Sequence, residues 1–476
     1  MKTIGLDIGT TKICGILIDS QSGELLHTLT RNNDSSIHTE ISWEKSQNPR
    51  IILAHCQSIL DEFRRMASDI KSIGITGQMH GILYIDASGS PVSPLYTWQD
   101  ERGNQIFSES LPQSGTQSGT QSGSDSETYA SYLTRATGYP MATGYGLTTH
   151  FYMMHNRLIP DTATVFCSIQ DYVAMTLVNA RVPLVHVSDA ASFGLFDREQ
   201  NQFDKEALKK VRISPSFLPP VTDDTRIVGQ APGGIYVSAA IGDNQASFLG
   251  SVCDADAILV NVGTGSQVSV RVHSSKSAAA GAPDGIQARP FADGDNLCVG
   301  SPLCGGYSYA VLRDFFIQTI DMFGGTNRAG EPDLFRIMDE AASRVYSKPG
   351  SLSIDTRFRG TRENPAIRGS IANITPDNLT PGHLCLGVMR GICNELFSLY
   401  MAIPSDPDSP PSILVGSGNG IRSSPLMQQI FTDTFGLTLK IPLYREEAAY
   451  GAALFSLAAT GVCRSLQEAQ NKIRYQ

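Results

Sequence analysis

Asp7-Ile8-Gly9-Thr10-Thr11 places a carboxylate directly ahead of a tight Gly/Thr turn, with Lys12 following. Closely spaced backbone N–H groups and hydroxyls suit phosphate oxygens. Asp7 could hold Mg2+, directly or through water, because Mg2+ takes oxygen ligands and keeps several waters. The plain alternative is a β-hairpin in which Thr serves strand propensity. A second copy weakens that alternative. Leu6-Asp7-Ile8-Gly9-Thr10-Thr11 lies at constant offset from Val260-Asn261-Val262-Gly263-Thr264-Gly265. Two such turns facing one another would grip a polyphosphate from both sides. Asn261 stands where the first copy has Asp7, an asymmetry that a single metal site would produce.

Ile241-Gly242-Asp243-Asn244 ends an apolar strand and opens a helix with a carboxylate. Asp243 is either a helix N-cap or the general base of phosphoryl transfer to an alcohol, near the metal. Gln78-Met79-His80-Gly81 follows another strand, and His80 could donate to a sugar hydroxyl or be structural. Trp98-Gln99-Asp100-Glu101-Arg102 offers an aromatic face, a carboxylate and a guanidinium in one short stretch. Carbohydrate sites need apolar stacking beside directional hydrogen bonds; a surface Asp–Arg pair near a half-buried Trp would read the same. Gly416-Ser417-Gly418-Asn419 forms a strand-to-helix turn where a ligand can approach the backbone, and Gly305-Gly306 is a weaker instance. The chain contains no Walker A motif, and the turn at 416–419 is not the GxGxxG fingerprint.

The elements that must position these residues are legible as patterns. Thr3–Ile8 and Ile13–Asp19 read as a hairpin, and so do Ala257–Val262 and Gln267–Val272. Ile52, Cys56, Ile59, Leu60 and Phe63 share one face of a helix. Ile70–Thr76 reads as a strand and Pro425–Phe435 as a helix. Each hairpin opens a segment of about 200 residues, a typical domain size. The expectation is two related α/β domains, 1–252 and 253–476, with helices covering each sheet. The Gln/Ser/Gly/Thr repeat at 111–126 is a surface insertion by composition and receives no chemistry. The short Pro-rich stretch at 400–411 reads as a loop.

Composition narrows the classes. With 41% hydrophobic and 17% charged residues, the chain is an ordinary globular one. A net charge of -9 argues against nucleic acid as the main partner. No apolar run approaches the roughly 20 residues that span a bilayer, and the N-terminus reaches its Gly-Thr turn before a signal core could form. The nine cysteines include no CxxC pair and read as reduced thiols. The expected compartment is the cytoplasm.

Taken together, these motifs resemble the FGGY family of carbohydrate kinases, within the actin/Hsp70/hexokinase superfamily, across roughly residues 3–460. DIGTT at 7–11 is similar to the family's first phosphate loop and 261–266 to its second. Asp171-Tyr172 and Ser188-Asp189-Ala190-Ala191-Ser192 resemble its DY and SNAS-type segments. GTRENPAIRG at 360–369 resembles its GERxP…RG stretch, Gly416–Asn419 its adenosine loop, and 446–453 its closing helix. GQMHG at 77–81 is similar to xylulokinases and sedoheptulokinases, and TWQDER at 97–102 is closer to the latter.

The resemblance implies two ribonuclease H-like domains flanking a nucleotide cleft, with sugar on the N-terminal domain and ATP on the C-terminal one. It implies Asp243 as base, Asp7 and Asp243 at Mg2+, and Gln78, Met79, His80, Trp98, Asp100, Arg102 and Asn244 toward a small sugar. ATP would meet Gly9, Thr10, Thr11, Lys12, Gly263, Thr264, Gly265, Gly305, Gly306, Gly416, Ser417, Gly418 and Asn419. The implied reaction is ATP-dependent phosphorylation of a ketose hydroxyl, sedoheptulose first and xylulose as the alternative, with a homodimer as the family-based expectation. Three departures stand out: Lys12 where relatives often carry a small residue, with Cys14 where a basic residue is common two positions on; the insertion at 111–126, which could decorate a lid; and the short Pro-rich stretch at 400–411. A nucleotide-driven chaperone or filament protein, or a regulator or repair kinase acting on a damaged sugar, are the competing readings.

Overall fold

The computed structural model describes residues 1–108, 127–254, 256–272, 285–325, 334–361, 364, 366–404 and 410–476. The insertion at 111–126 lies outside the described residues. The chain forms two compact units. The first comprises Met1–Gly250, Pro290–Gly294 and Glu446–Lys472; the second comprises Ser251–Arg289, Asp295–Arg445 and Ile473–Gln476. The expected cut at 252/253 falls just after the first crossing, and the late segment 446–472 returns to the first unit.

The first unit is built on strands β1 (Lys2–Ile8), β2 (Lys12–Asp19), β3 (Leu25–Asn32), β4 (Ile70–Gly77), β5 (Ile227–Ala231), β6 (Ile235–Ser238) and β7 (Ile241–Gly242). Their order is β5-β6-β4-β1-β2-β3, and β7 also pairs with β4. β1 runs antiparallel to β2, with Asp7 opposite Cys14, and parallel to β4, with Asp7 beside Thr76. β7 runs parallel to β4, with Ile241 beside Thr76 and Gly242 beside Gly77. The carboxyl ends of β1, β4 and β7 therefore finish side by side, where ligands of open α/β sheets bind.

Helices cover both faces of this sheet, which is why β1 and β4 read as nearly continuous apolar runs. On one face lies the helix Pro49–Met66, capped by the Asn48 side chain accepting from the Arg50 N–H. Its buried stripe includes Ile52, Cys56, Ile59, Leu60 and Phe63, the residues the periodicity selects. Burial of each large apolar side chain contributes about 1.5–3 kcal/mol. On the other face lies the helix Glu447–Ala459. Gly5 and Gly74 are partners on adjacent strands. A Cβ at Gly5 would stand 1.9 Å from the Ala449 carbonyl oxygen, and one at Gly74 1.8 Å from that of Ala452. Only glycine lets this helix lie so close to the sheet.

The second unit carries β8 (Ile258–Val262), β9 (Ser266–Val272), β10 (Ile286–Pro290), β11 (Asn296–Gly300), β12 (Ile413–Ser417) and β13 (Thr438–Lys440), ordered β10-β11-β9-β8-β12-β13. β8 is antiparallel to β9 and parallel to β12. This repeats the β2-β1-β4 arrangement of the first unit, so the two hairpins are topological equivalents. Their turns differ in length. Ile8 pairs with Ile13, enclosing residues 9–12, whereas Val262 pairs with Ser266, enclosing only 263–265. The constant offset seen in the sequence ends inside the turn, and Lys12 belongs to the extra length. The helix Pro381–Ala402 packs Leu386, Met389, Ile392 and Leu396 into this unit's core. The helix Pro425–Phe435 forms where its pattern places it.

Among the described residues no helix is long and apolar enough to cross a membrane. All nine cysteines are free, and all but Cys253 are buried.

Candidate functional site

In the first unit, carboxylates gather at the strand ends. The Thr76 hydroxyl donates to the Ile241 carbonyl at 2.7 Å, fastening β7 to β4. Asp243 follows as the first residue of the helix Asp243–Ser251. Gly242 donates its N–H to Ser188 Oγ at 3.2 Å. Gln245 Nε2 donates to the carbonyls of Ser188 at 3.2 Å and Pro290 at 3.0 Å. The Asp7 carboxyl is pushed up to about 8, first by burial and then by the carboxylates of Asp243 and Glu446. Burial pushes the thiol of Cys14, its partner across the hairpin, up to about 12, with Glu446 adding to the effect.

Glu446 is a residue the sequence reading did not single out. It immediately precedes the helix Glu447–Ala459, and only the return of this segment to the first unit brings it near Asp7. Among the described residues no group of three or more His, Cys, Asp or Glu side chains forms a metal cage. A carboxyl raised by two neighbouring carboxylates fits Mg2+, which keeps most of its waters and takes one or two protein carboxylates plus phosphate.

A closed ring of hydrogen bonds joins the first turn to the sugar-facing candidates. Thr10 Oγ1 donates to Gln78 Oε1 at 3.1 Å, Gln78 Nε2 to Gln47 Oε1 at 2.8 Å, and Gln47 Nε2 to the Thr10 carbonyl at 2.8 Å. Trp98 Nε1 donates to Thr10 Oγ1 at 3.0 Å. The Trp98 side chain is thus tethered at its polar edge yet remains 47% exposed, leaving a face for stacking. Gln47 carries no local sequence signal; its part depends on reach across the fold. Beside it opens a cavity of about 270 Å³ whose lining includes Thr10, Gln47, Thr97 and Gln99.

His80 sits at φ +73, a left-handed conformation that is uncommon outside glycine. The Gly81 N–H bonds to the Met79 carbonyl at 2.9 Å, closing a tight turn around it. Its ring stacks parallel on Tyr145 with centroids 4.7 Å apart. Its N–H donates to Ser192 Oγ at 3.0 Å, and Nδ1 lies 2.8 Å from the Ser192 carbonyl. A carbonyl only accepts, so Nδ1 carries a proton, and a neutral ring would then present Nε2 as an acceptor. Met79 is buried, packed against Gly242, where an added Cβ would stand 2.9 Å from its sulfur. Asn244 is half-buried beside Asp243.

Asp100 and Arg102 sit deeper. Asp100 is 0% exposed. Its Oδ2 accepts from Arg102 Nη1 at 2.6 Å and from the Lys45 N–H at 2.9 Å. Arg102 Nη2 donates to Glu44 Oε1 at 3.0 Å, and its guanidinium lies 4.3 Å from the Tyr96 ring centroid. Burial lifts the Asp100 carboxyl above the usual range, and Arg102 opposes it. The pair braces the 97–102 turn from within, while Trp98 stays at the surface.

In the second unit the glycine turns converge. Asn261 and Ser417 are partners on adjacent strands, and Asn261 Nδ2 donates to Ser417 Oγ at 2.8 Å. A Cβ at Gly306 would stand 2.0 Å from the Gly263 carbonyl oxygen, and the Tyr307 N–H bonds to the Thr264 carbonyl at 2.8 Å. Gly418, at φ +80, lies against β8, where a Cβ would meet the Val262 carbonyl oxygen at 2.5 Å. Turns 263–265, 305–306 and 416–419 thus form one glycine-lined rim, on which a polyphosphate or nucleotide can meet backbone directly.

The chain is similar to known proteins over nearly its whole length. Sedoheptulokinase from Mus musculus is 26% identical over 506 aligned residues, covering 96% of this chain and 97% of that relative. The xylulose kinase structure from Rhodospirillum rubrum superposes with TM-score 0.80 at 18% identity, covering 100% of this chain and 93% of the other. Plasmodium falciparum glycerol kinase with ADP gives TM-score 0.78 at 18% identity, covering 99% and 92%. The N-terminal domain of the FGGY family of carbohydrate kinases matches residues 2–250 and its C-terminal domain residues 260–460. The chain belongs to the FGGY family of carbohydrate kinases, phosphotransferases with a hydroxyl acceptor.

Proposed function

We propose that this enzyme uses ATP and Mg2+ to phosphorylate a hydroxyl of a ketose, with sedoheptulose the substrate best supported and xylulose the second. The observation that carries the reading is the electrostatic coupling of Asp7 to Asp243 at neighbouring strand ends, beside the Thr10–Gln78–Gln47–Trp98 ring. Asp243 accepts the proton of the attacking hydroxyl as charge moves onto the leaving phosphate. Gln78, Met79, His80, Trp98 and Asn244 orient the sugar, with Asp100 and Arg102 bracing the turn that carries Trp98. Gly9, Thr10, Thr11 and Lys12 of the first unit meet phosphate oxygens. The rim at 263–265, 305–306 and 416–419 of the second unit holds the nucleotide. Asp7 and Asp243 would hold Mg2+, which neutralises phosphate charge when bound. Positioning and electrostatics supply most of the rate. The similarity to a sedoheptulokinase over nearly the whole of both chains supports the ketose, and the free buried thiols support action in a reducing cytoplasm.

The test is coupled ADP release with ATP and Mg2+ across ketoses, aldoses and polyols. Strong stimulation by one ketose is expected. Slow hydrolysis indifferent to every sugar would overturn the reading and favour a nucleotide-driven binding protein.

A further inference from the structure

Two motifs that the chemistry leaves unused, Asp171-Tyr172 and Ser188 to Ser192, meet beneath His80. The Ser168 hydroxyl opens the helix Ile169–Leu177, accepting from the Asp171 N–H at 3.2 Å and donating to Asp171 Oδ2 at 2.6 Å. Asp171 and Asp189 are both buried, and burial followed by the Asp189 charge pushes the Asp171 carboxyl up. Gln170 Nε2 donates to Asp189 Oδ2 at 3.0 Å, and the Ser192 hydroxyl donates to Asp189 Oδ1 at 3.4 Å. Having given its only proton to Asp189, Ser192 Oγ can only accept, and it does so from the His80 N–H at 3.0 Å. The Ser192 carbonyl takes the Nδ1 proton of the same histidine.

The chain of polarity therefore runs one way, from His80 through Ser192 to Asp189. It holds a residue whose φ of +73 persists only where surrounding contacts over-determine it. We infer that Ser192, braced by Asp189, is a positioning residue that fixes the turn and tautomer of His80 so that its Nε2 accepts a substrate hydroxyl. The inference rests on the reading that His80 faces the sugar. It assigns the site a preference for a donating hydroxyl there over a carbonyl or a deoxy position.

The test pairs kinetics with a readout independent of turnover. Ser192→Ala, Asp189→Asn, the conservative Ser192→Thr and His80→Gln are compared with the full-length wild type. Loss of one supporting hydrogen bond should raise the ketose KM about tenfold in Ser192→Ala. The ATP KM and kcat should stay within about twofold, and Ser192→Thr should restore the wild-type ketose KM. Asp189→Asn should behave as Ser192→Ala. In 15N-histidine-labelled protein, the signal lost in His80→Gln should report a neutral ring protonated on Nδ1. The residue-192 carbonyl survives in both variants, so the Nδ1 pattern should persist, while the His80 backbone amide signal should shift as its Oγ acceptor is lost in Ser192→Ala or loosened in Asp189→Asn. A wild-type His80 protonated on Nε2, or a His80 amide signal and ketose KM unchanged in both variants, would overturn the inference. A wild type that ignores every ketose would overturn the kinase reading instead, and the nitrogen spectra would still decide the role of Ser192.

Discussion

Asn261 donates its side-chain N–H to the hydroxyl of Ser417 across 2.8 Å, joining the ends of β8 and β12. Its topological counterpart, Asp7, makes the opposite use of the same strand position, holding a carboxyl raised by Asp243 and Glu446. One hairpin thus ends in a neutral clamp between glycine turns and the other in a carboxyl raised by its neighbours. Under the proposed function the first belongs to the nucleotide rim and the second to the Mg2+ site.

Asn261→Ala should therefore weaken nucleotide binding without touching the sugar. Removing one neutral hydrogen bond costs about 1 kcal/mol, so the ATP KM should rise about fivefold. The ketose KM should be unchanged. Asn261→Asp should be worse, because the new carboxylate repels phosphate. Steady-state kinetics with each substrate varied in turn decides this. An unchanged ATP KM in both variants would remove the clamp from nucleotide binding.

Asp243→Asn keeps shape and removes the proton acceptor. Turnover should fall by at least about 100-fold, while ATP affinity by calorimetry stays close to wild type. Substantial residual kcat would show that the hydroxyl loses its proton without Asp243, and would leave that residue the N-terminal position of its helix as its sole role.

The sequence made some of this legible and hid the rest for physical reasons. Turns at 9–12, 263–265 and 416–419 are written in adjacent residues, so hairpins and glycine rims could be read locally. Asp243 was legible because a strand, a glycine and a helix start lie in line. Gln47 and Tyr145 were not, and Ser192 and Glu446 were visible only as members of motifs without their partners, because each reaches its partner through topology rather than spacing. The 97–102 segment shows the limit most clearly. An Asp and an Arg at that spacing look the same whether they face solvent or, as here, lie buried under Tyr96 with Glu44. The direction of the His80 hydrogen bonds also needed the Ser192 carbonyl, which arrives from another part of the chain.

Acid sensitivity should come from two histidines outside the site. Burial lowers His150 to about 4, with Nδ1 2.8 Å from the Tyr84 hydroxyl. His186 is lowered to about 4 by the same cause, its Nδ1 accepting from the Ser188 N–H at 3.2 Å. The unfolded chain binds protons near 6.5 that the folded one refuses. Stability is therefore full above that pH and lost as pH falls toward 4, by on the order of 3 kcal/mol for each. The raised Asp171–Asp189 pair acts in the opposite direction, but wild type and both histidine variants carry it alike. His150→Gln and His186→Gln should each flatten the fall in urea midpoint between pH 7.5 and 5. A parallel curve in either variant would show that its histidine takes up its proton in the folded state.

Trp98 separates stacking from tethering. Trp98→Phe keeps an aromatic face and loses the Nε1 bond to Thr10, whose hydroxyl retains Gln78. Because the proposed function also places Thr10 in the phosphate-binding turn, the lost bond should be felt on both substrates, as rises of a few-fold in each KM, for about 1 kcal/mol. Trp98→Ala removes the ring as well, and a further rise of about tenfold should then appear in the ketose KM alone. Equal ketose KM values in the two variants would mean that the exposed ring does not stack on the sugar. An ATP KM untouched by Trp98→Phe would mean that the Thr10 ring of hydrogen bonds holds the sugar face in place without informing the phosphate turn.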